Sequence, residues 1–196
     1  GTRTRDDATD EDTRGGDTTS LSVVDKEGNA IAVTTTIGGG FGTSVVMGGT
    51  GLLCNNGLRI GSTAPYVGHR NGPIIVLDKG RLKLVCGTPG GETIGQTQFQ
   101  FLVNALDLEM PIQQAIEAPR FALNAKPNFY KPGAAISLQL EDRFAPADLL
   151  ALKNKGHSVE MVGAFAIGSV QGVLVDPSGA PMGGSDPRRM GYAMGY

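Results

Sequence analysis

The sequence is short of several residue types that would narrow its class. It has no tryptophan, 6% aromatic residues, two cysteines and two histidines. A core must therefore be built from Val, Ile, Leu and Ala. Cys54 and Cys86 are too few for a disulfide scaffold and lack a metal-ligand spacing, so no metal or other cofactor is expected. We interpret them as small buried hydrophobic residues, with a disulfide between them as the open alternative.

A large net charge and long apolar runs are also lacking. The net charge is -2, and no basic stripe is present, so we expect no nucleic-acid partner. No apolar run approaches the roughly 18 residues of a membrane span, so no membrane partner is expected. No signal peptide opens the sequence; if the chain is a processed product, such a signal lies upstream.

What is present indicates one globular domain after a polar segment. The 196 residues include 40% hydrophobic residues and 30 glycines, enough for a core with many tight turns. Residues 1–17 contain almost nothing apolar, which predicts a flexible tail. The predicted domain is 18–196.

Strand-like segments come first. Residues 19–24 and 30–36 are rich in β-branched side chains around a polar turn and predict a hairpin. Residues 73–77 and 81–86 predict a second one, and 45–54 predict a further strand region broken by glycines. Helices are predicted in the middle of the chain, at 92–106, 111–118 and 146–156. Two late strands follow, at 158–162 and 168–175. The order suits a layered α/β or α+β domain.

Thr18 lies where the polar segment meets the first strand, and it is the candidate nucleophile. A free N-terminal threonine carries its own base, because its α-amine titrates at about pH 7.7–8.0. Asp17 precedes it, so the site is latent until the Asp17–Thr18 bond is cut. The hairpin would return Thr34, Thr35 and Thr36 alongside it. The ordinary alternative is that threonines simply favour strands.

A second candidate feature is the segment 87–91, Gly-Thr-Pro-Gly-Gly, between a predicted strand and a helix. Two glycines at a helix start allow backbone N–H groups to point at an anion, which is the geometry of an oxyanion hole. A simple turn before the helix is the alternative. Arg120 and the run 186–189 are interpreted as structural ion pairs and a turn, and His157 is given no role.

Motifs in the order of this chain resemble the small subunit of the gamma-glutamyltranspeptidase family. The segments that carry the resemblance are 18–30, 41–43, 51–56, 87–91, 118–120, 155–159, 167–171, 185–189 and 195–196. The resemblance implies a four-layer αββα N-terminal-nucleophile hydrolase sandwich, to which this chain supplies about half. It also implies a precursor that cuts itself at Asp17–Thr18 and then works through an acyl-Thr18 intermediate.

The resemblance implies roles for particular residues. Thr36 matches the threonine that supports the nucleophile, and Gly90 and Gly91 match the oxyanion-hole glycines. The expected partners are a large subunit from the same precursor and a small-molecule amide, with a dimer of heterodimers also open. The family context implies a periplasmic or secreted location, with a cytoplasmic one open.

Substrate-binding positions depart from the family pattern. Gly38 stands where the family has Asn, Gly57 where it has Gln, and Ile60 where it has Asp. His69 and Arg70 lie where a serine pair binds the substrate carboxylate; Arg70 offers a guanidinium for it, and an ordinary solvent-facing loop pair is the alternative. The glutamyl substrate is therefore in question, unless the large subunit or altered loops supply replacement contacts. The alternatives are an oxamate- or glutaryl-type amidohydrolase, or an inactive relative that keeps the fold.

Overall fold

The structure is a computed structural model that describes residues 18–56, 72–126 and 132–196. The predicted tail, residues 1–17, lies outside the described residues. The strands are β1 (Thr18–Val24), β2 (Ala30–Thr36), β3 (Ile74–Asp78), β4 (Arg81–Gly87), β5 (Phe121–Lys126), β6 (Ala135–Glu141), β7 (Val159–Val162), β8 (Gln171–Val175) and β9 (Pro181–Ser185).

The helices are α1 (Ile94–Leu102), α2 (Ile112–Glu117) and α3 (Pro146–Asn154). A 3-10 turn, Gly91–Thr93, precedes α1, and a π-helical turn, Val103–Asp107, continues it. None of the helices in the described parts of the chain has the length and apolar composition needed to cross a bilayer.

The strands form three sheets. The antiparallel pair β1-β2 lies over a four-stranded antiparallel sheet of order β3-β4-β8-β9, and a third sheet has the order β5-β6-β7. Alternate residues of β4 face opposite sides: Gly87 abuts β1 and β2, while Leu84 and Cys86 join the helical core. That core includes Phe101 and Ile116, so two sheets and the layer of α1 and α2 are stacked.

The β1-β2 hairpin has its polar face inward and its apolar face outward. Ser20, Ser22 and Thr34 point toward β4 and β8, because side chains alternate along a strand. The opposite face exposes large apolar side chains, with Leu21 and Ile31 each 58% exposed. This face is the outermost surface of the layers that the structure describes.

Several predicted elements are confirmed. Both hairpins form within one residue of their predicted bounds. Pro111 directly precedes α2, and Pro146 opens α3, as expected for a residue without an N–H. Gly156 follows α3 with φ +89°, which ends the helix. The late strands also form, but are shorter than predicted.

The strand predicted in 45–54 is wrong. This segment is a loop whose ends approach through a single bridge between Val46 and Leu53. Ser44, Gly49 and Gly51 have φ values of +60°, +72° and +73°, which a regular strand cannot contain. The valines that suggested a strand remain more than half exposed.

Sequence reasoning missed β5, β6 and β9, so its order of strands, helices and strands is also wrong. The segment of β5 contains Ala and Asn, and that of β9 contains Pro and two glycines, all poor strand formers. Tertiary contacts stabilise β5 instead. Gln96 and Gln100 of α1 each use their side-chain amide to bond both backbone groups of one β5 residue.

Candidate active site

The site begins at the first residue of β1. The hairpin register places Thr18 directly opposite Thr36, the last residue of β2. The Thr18 hydroxyl donates to Thr36 Oγ1 at 2.9 Å, and both residues are half-buried. The five-residue turn between the strands sets this register, which the β-branched runs on each side made predictable. The result is a pair of hydroxyls on the same inward face.

The turn after β2 adds a backbone donor to this pair. Gly38 N–H donates to Thr36 Oγ1 at 2.9 Å, with Gly38 at φ +91°. The neighbouring turn residues are held by Asn56, whose side-chain oxygen accepts from Gly39 N–H at 2.9 Å. The backbone N–H of Asn56, which is a buried residue, also donates to Ile37 O at 2.9 Å. Thr36 Oγ1 is thus fixed from both sides.

Beneath the pair, β4 ends against the hairpin. A Cβ on Gly87 would lie 2.8 Å from Ser20 Cβ and 3.2 Å from Thr34 Oγ1, so only glycine fits. Ser20 and Thr34 are each two residues from the Thr18–Thr36 pair, about 7 Å along a strand. Ser20 also donates to Gln171 Oε1 of β8 at 2.9 Å. The end of β4 therefore lies close to the two hydroxyls.

The loop that follows β4 leads into α1 with an unusual backbone. Gly90 has φ +149° and Gly91 has φ +56°, values that favour glycine. Thr93 closes the turn, because its N–H and its hydroxyl both donate to Gly90 O, at 3.1 and 2.9 Å. On its other side Gly90 packs against Gly168, whose Cα lies 3.6 Å from the position of a Cβ on Gly90.

A comparison with models of known protein families adds an independent finding to these observations. The family model for gamma-glutamyltranspeptidase matches residues 2–66 and 67–196. The chain belongs to the gamma-glutamyltranspeptidase family. It is 37% identical over 191 residues to the Escherichia coli glutathione hydrolase proenzyme, with 87% of this chain and 31% of the relative aligned. It thus spans about a third of that relative's length.

Other relatives in the gamma-glutamyltranspeptidase family carry different names. The Klebsiella pneumoniae oxamate amidohydrolase proenzyme is 32% identical over 194 residues, covering 92% of this chain and 36% of the relative. In structure, the chain resembles the gamma-glutamyltranspeptidase of Pseudomonas nitroreducens complexed with L-DON, with TM-score 0.72 and 30% identity. That match covers 91% of this chain and 99% of the other.

The family and the fold expected from the sequence are therefore confirmed. The fold is that of the N-terminal-nucleophile hydrolases of the gamma-glutamyltranspeptidase family. The expected enzyme class, amide hydrolysis or acyl transfer, is that of the named relatives.

Of the predicted site residues, Thr18, Thr36 and Gly38 come together as described, and Gly90 and Gly91 form the loop before α1. Asp17, Gly57, His69 and Arg70 lie outside the described residues. Within the described parts of the chain, no group of three His, Cys, Asp or Glu side chains is arranged to hold a metal ion.

The cysteines are free thiols, so the alternative of a disulfide between them is not formed. Cys86 lies in the core, as interpreted, where burial raises the pKa of its thiol to about 12. Cys54 is half-buried, and its backbone oxygen accepts from Thr43 N–H at 2.9 Å. It belongs to the loop 42–54 rather than to a core.

Five charged residues form what we call the ionic cluster: Arg120, Glu141, Arg143, Asp186 and Arg188. Arg120 pairs with Asp186 at 2.7 Å, and Arg188 pairs with Glu141 at 2.6 Å and with Asp186 at 3.1 Å. Arg143 pairs with Glu141 at 2.7 Å. Four of the side chains are at most 2% exposed, so these are buried pairs. The predicted structural ion pairs of Arg120 and the 186–189 run are therefore present.

The ionic cluster holds the segment 164–170, which contains Gly168. Glu141 Oε1 accepts from the N–H groups of Ala166 and Ile167, both at 3.1 Å, and Asp186 Oδ2 accepts from Val170 N–H at 2.9 Å. Arg120 donates to Ile167 O at 3.1 Å. Because Gly168 packs on Gly90, the cluster also fixes one wall of the loop before α1.

The carboxylate at the centre of the ionic cluster stays ionised. Burial by itself would raise the pKa of Glu141. Hydrogen bonds from Arg188, the Ile167 N–H and Arg143 outweigh it and hold the pKa below its ordinary value of 4.5. Burial lowers the pKa of Arg120, and Asp186 offsets part of that effect.

Sequence reasoning missed Asn56, Glu141 and Arg143. Asn56 entered only as one letter of a family motif, and its contact with Gly39 spans 17 residues of chain. Glu141 bonds residues as far as 47 positions away. Contacts over such distances along the chain cannot be predicted from periodicity or motif spacing. Only the folded chain shows the roles of these residues.

Proposed function

We propose that Thr18 is the nucleophile of a self-processing amide hydrolase or acyltransferase. The observation that carries the proposal is the 2.9 Å hydrogen bond between the hydroxyls of Thr18 and Thr36 at the start of the domain. A hydroxyl becomes an effective nucleophile when a base takes its proton and a neighbouring donor stabilises the oxygen that results. Thr36 is the donor in this proposal.

The first reaction is self-cleavage. Thr18 Oγ1 attacks the carbonyl carbon of Asp17, and the bond from that carbon to the Thr18 nitrogen breaks. The nitrogen takes up the proton that leaves the Thr18 hydroxyl. The ester that forms between Asp17 and Thr18 Oγ1 is then hydrolysed by water. The products are a carboxylate on Asp17 and a Thr18 with a free α-amine, which provides the base for later turnovers.

The second reaction uses the freed residue. The α-amine accepts the proton of Thr18 Oγ1 as this oxygen attacks a substrate amide, and it returns a proton to the leaving amine. Water or another amine then attacks the acyl-Thr18 ester and regenerates the hydroxyl. We assign the negative oxygen of each tetrahedral intermediate to the N–H groups of Gly90 and Gly91. The position of this loop beside the end of β4 supports that assignment.

The acyl group is proposed to differ from a simple gamma-glutamyl unit. Gly38 has no side chain to offer a substrate, and the Asn56 amide fills the space where one would lie. Relatives with comparable identity are named as a glutathione hydrolase, an oxamate amidohydrolase and the acylase ACY 1 of a Pseudomonas species. Release rates from glutathione, oxamate and glutaryl amides, compared on one enzyme preparation, decide among these classes.

The partner is proposed to be the rest of the proenzyme. The chain spans about a third of its curated relatives, and the outer face of the β1-β2 hairpin exposes Leu21, Val23, Ile31 and Val33 by 40–58%. An apolar face of this kind is stabilised when another layer covers it. We assign that layer to the large subunit, which would also line the pocket beside Thr18.

Intact mass and N-terminal sequencing of protein expressed from the full precursor test the nucleophile. The wild type should yield a fragment that begins at Thr18, and Thr18→Ala should stay uncut, because alanine has no oxygen to attack Asp17. Thr19→Ala is the matched control: the Thr19 side chain points to the opposite face of β1 from the Thr18 hydroxyl, and this variant should be cut like the wild type. A wild-type chain that keeps Asp17 joined to Thr18 under every condition would identify an inactive relative.

A further inference from the structure

The turn after β2 influences how well Thr36 can serve Thr18. Thr36 Oγ1 accepts hydrogen bonds from Thr18 Oγ1 and from Gly38 N–H, both at 2.9 Å. When Thr18 gives up its proton, the Thr36 hydroxyl becomes the donor to the new oxyanion. Hydrogen bonds in a chain polarise one another, so a well-placed Gly38 N–H makes Thr36 a stronger donor.

Asn56 fixes the direction of that N–H group. Its side-chain oxygen accepts from Gly39 N–H, and its own N–H donates to Ile37 O, both at 2.9 Å. These two bonds clamp the residues on either side of Gly38. Asn56 is 8% exposed, so little solvent competes with the clamp.

Gly38 and Asn56 also fit each other sterically. A Cβ on Gly38 would collide with Asn56 Oδ1 and lie 3.0 Å from Asn56 Cγ. Other glycines with positive φ, such as Gly28 and Gly49, have nothing within 4 Å of that position. At Gly38, therefore, both the backbone conformation and the neighbouring amide require glycine.

We propose that Asn56 is a positioning residue for the nucleophile: it clamps the turn 37–39 so that Gly38 N–H holds Thr36 Oγ1 against Thr18. The inference rests on the proposed function. It gives Asn56 no contact with substrate; the effect passes through Gly38 and Thr36. Self-cleavage is the reaction that tests it most directly, because the chain is its own substrate and no acyl specificity enters.

The experiment follows self-cleavage of the full proenzyme after cell-free synthesis, by intact mass over time. Asn56→Ala removes the side-chain bond of the clamp but keeps the backbone bond to Ile37 O, and it should slow cleavage by about 10- to 100-fold, the scale of a small misplacement of reacting groups. Asn56→Asp keeps an oxygen that accepts from Gly39 N–H and should cleave faster than Asn56→Ala, while its buried charge holds it below the wild-type rate. Cooperative thermal unfolding of each uncut variant checks that it has folded.

A double-mutant cycle separates positioning from a general loss of structure. In a Thr36→Ala background, Asn56→Ala should cause little further slowing, because its effect passes through the Thr36 hydroxyl. Equal slowing in both backgrounds would overturn the proposal, as would an Asn56→Ala variant that cleaves at the wild-type rate.

Two glycine variants provide a further test that leaves Asn56 unchanged. Gly38→Ala brings both strain and the collision with Asn56 and should slow cleavage, whereas Gly49→Ala brings a similar strain in open space and should not. Equal rates for the two variants count against the proposal. If wild-type proenzyme stays uncut, the proposed function fails and this inference fails with it; if the wild type is cut and Asn56→Ala matches it, only this inference fails.

Discussion

The inward face of the β1-β2 hairpin and the ionic cluster both bury polar groups, but they do so in opposite ways. On the hairpin, the hydroxyls of Ser22 and Thr34 are buried without a hydrogen-bond partner among the described residues. In the cluster, Glu141 accepts six hydrogen bonds, from three guanidinium nitrogens and three backbone N–H groups. This difference separates the part of the domain that we expect to carry its stability from the part to which we assign the reaction.

The physical reason is the cost of an unpaired group. A buried carboxylate without partners is very unfavourable, so a charge inside the domain must be fully bonded. A buried hydroxyl without a partner costs only about 1–3 kcal/mol and can be tolerated beside a reactive centre. We therefore expect the cluster to dominate unfolding and the hairpin hydroxyls to matter little for it.

The largest expected effect is in the ionic cluster. Glu141→Gln removes the carboxylate that joins Arg188 and Arg143 and leaves Asp186 as the one carboxylate of the cluster for three guanidinium groups. We expect the free energy of unfolding to fall by about 3–5 kcal/mol, measured by urea denaturation. Glu160→Gln is the control, because the Glu160–Lys126 pair is at 4.0 Å and solvent-exposed. It should change stability by under about 1 kcal/mol; similar losses in both variants would contradict the comparison.

The same carboxylate should make stability depend on pH. The folded-state pKa of Glu141 lies below the ordinary 4.5, so its ionised form stabilises the fold above that pH. This contribution is lost as the pH falls through the lowered folded-state pKa. Urea unfolding of wild type and Glu141→Gln from neutral pH to below 4.5 should show a stability difference that shrinks on the acid side. A constant difference would show that the charge is not responsible.

The smallest expected effect is on the hairpin. Thr34→Val replaces a buried hydroxyl that has no partner by a methyl group of similar size. Because no hydrogen bond is lost, the free energy of unfolding should stay within about 1 kcal/mol of the wild type or rise. Thr36→Val is the contrasting variant, since it breaks the bonds to Thr18 and Gly38 and should slow self-cleavage markedly. A marked loss of stability in Thr34→Val would mean that its hydroxyl has a bonding partner in the assembled protein.

The hairpins could be predicted from the sequence because β-branched runs on each side of a polar turn are local signals. From that hairpin alone, Thr36 could be placed near Thr18. The strand in 45–54 was predicted wrongly for the same reason: its valines and methionine favour a strand, but the positive φ values of its glycines interrupt the backbone. Local preference was overruled there by turn geometry.

Other features had no local signal. β5 depends on Gln96 and Gln100 of a helix about 25 residues earlier, and it contains Ala, Asn and Lys, which are poor strand formers. Glu141 gains its role only when Arg120, Arg188 and the 164–170 segment surround it. The clamp from Asn56 likewise exists only after the loop 42–54 has folded back. Each case depends on long-range contacts that a single sequence does not display.

The fit between Gly38 and Asn56 constrains how this protein can change over generations. A larger residue at 38 meets the Asn56 amide, so such a substitution is harmful as long as Asn56 is present. Shortening Asn56 first opens the space but releases Gly39, so that step also carries a penalty. Where the family has Asn at position 38 beside the same Asn56, the turn 37–39 must therefore follow a different path from the one it takes in this chain.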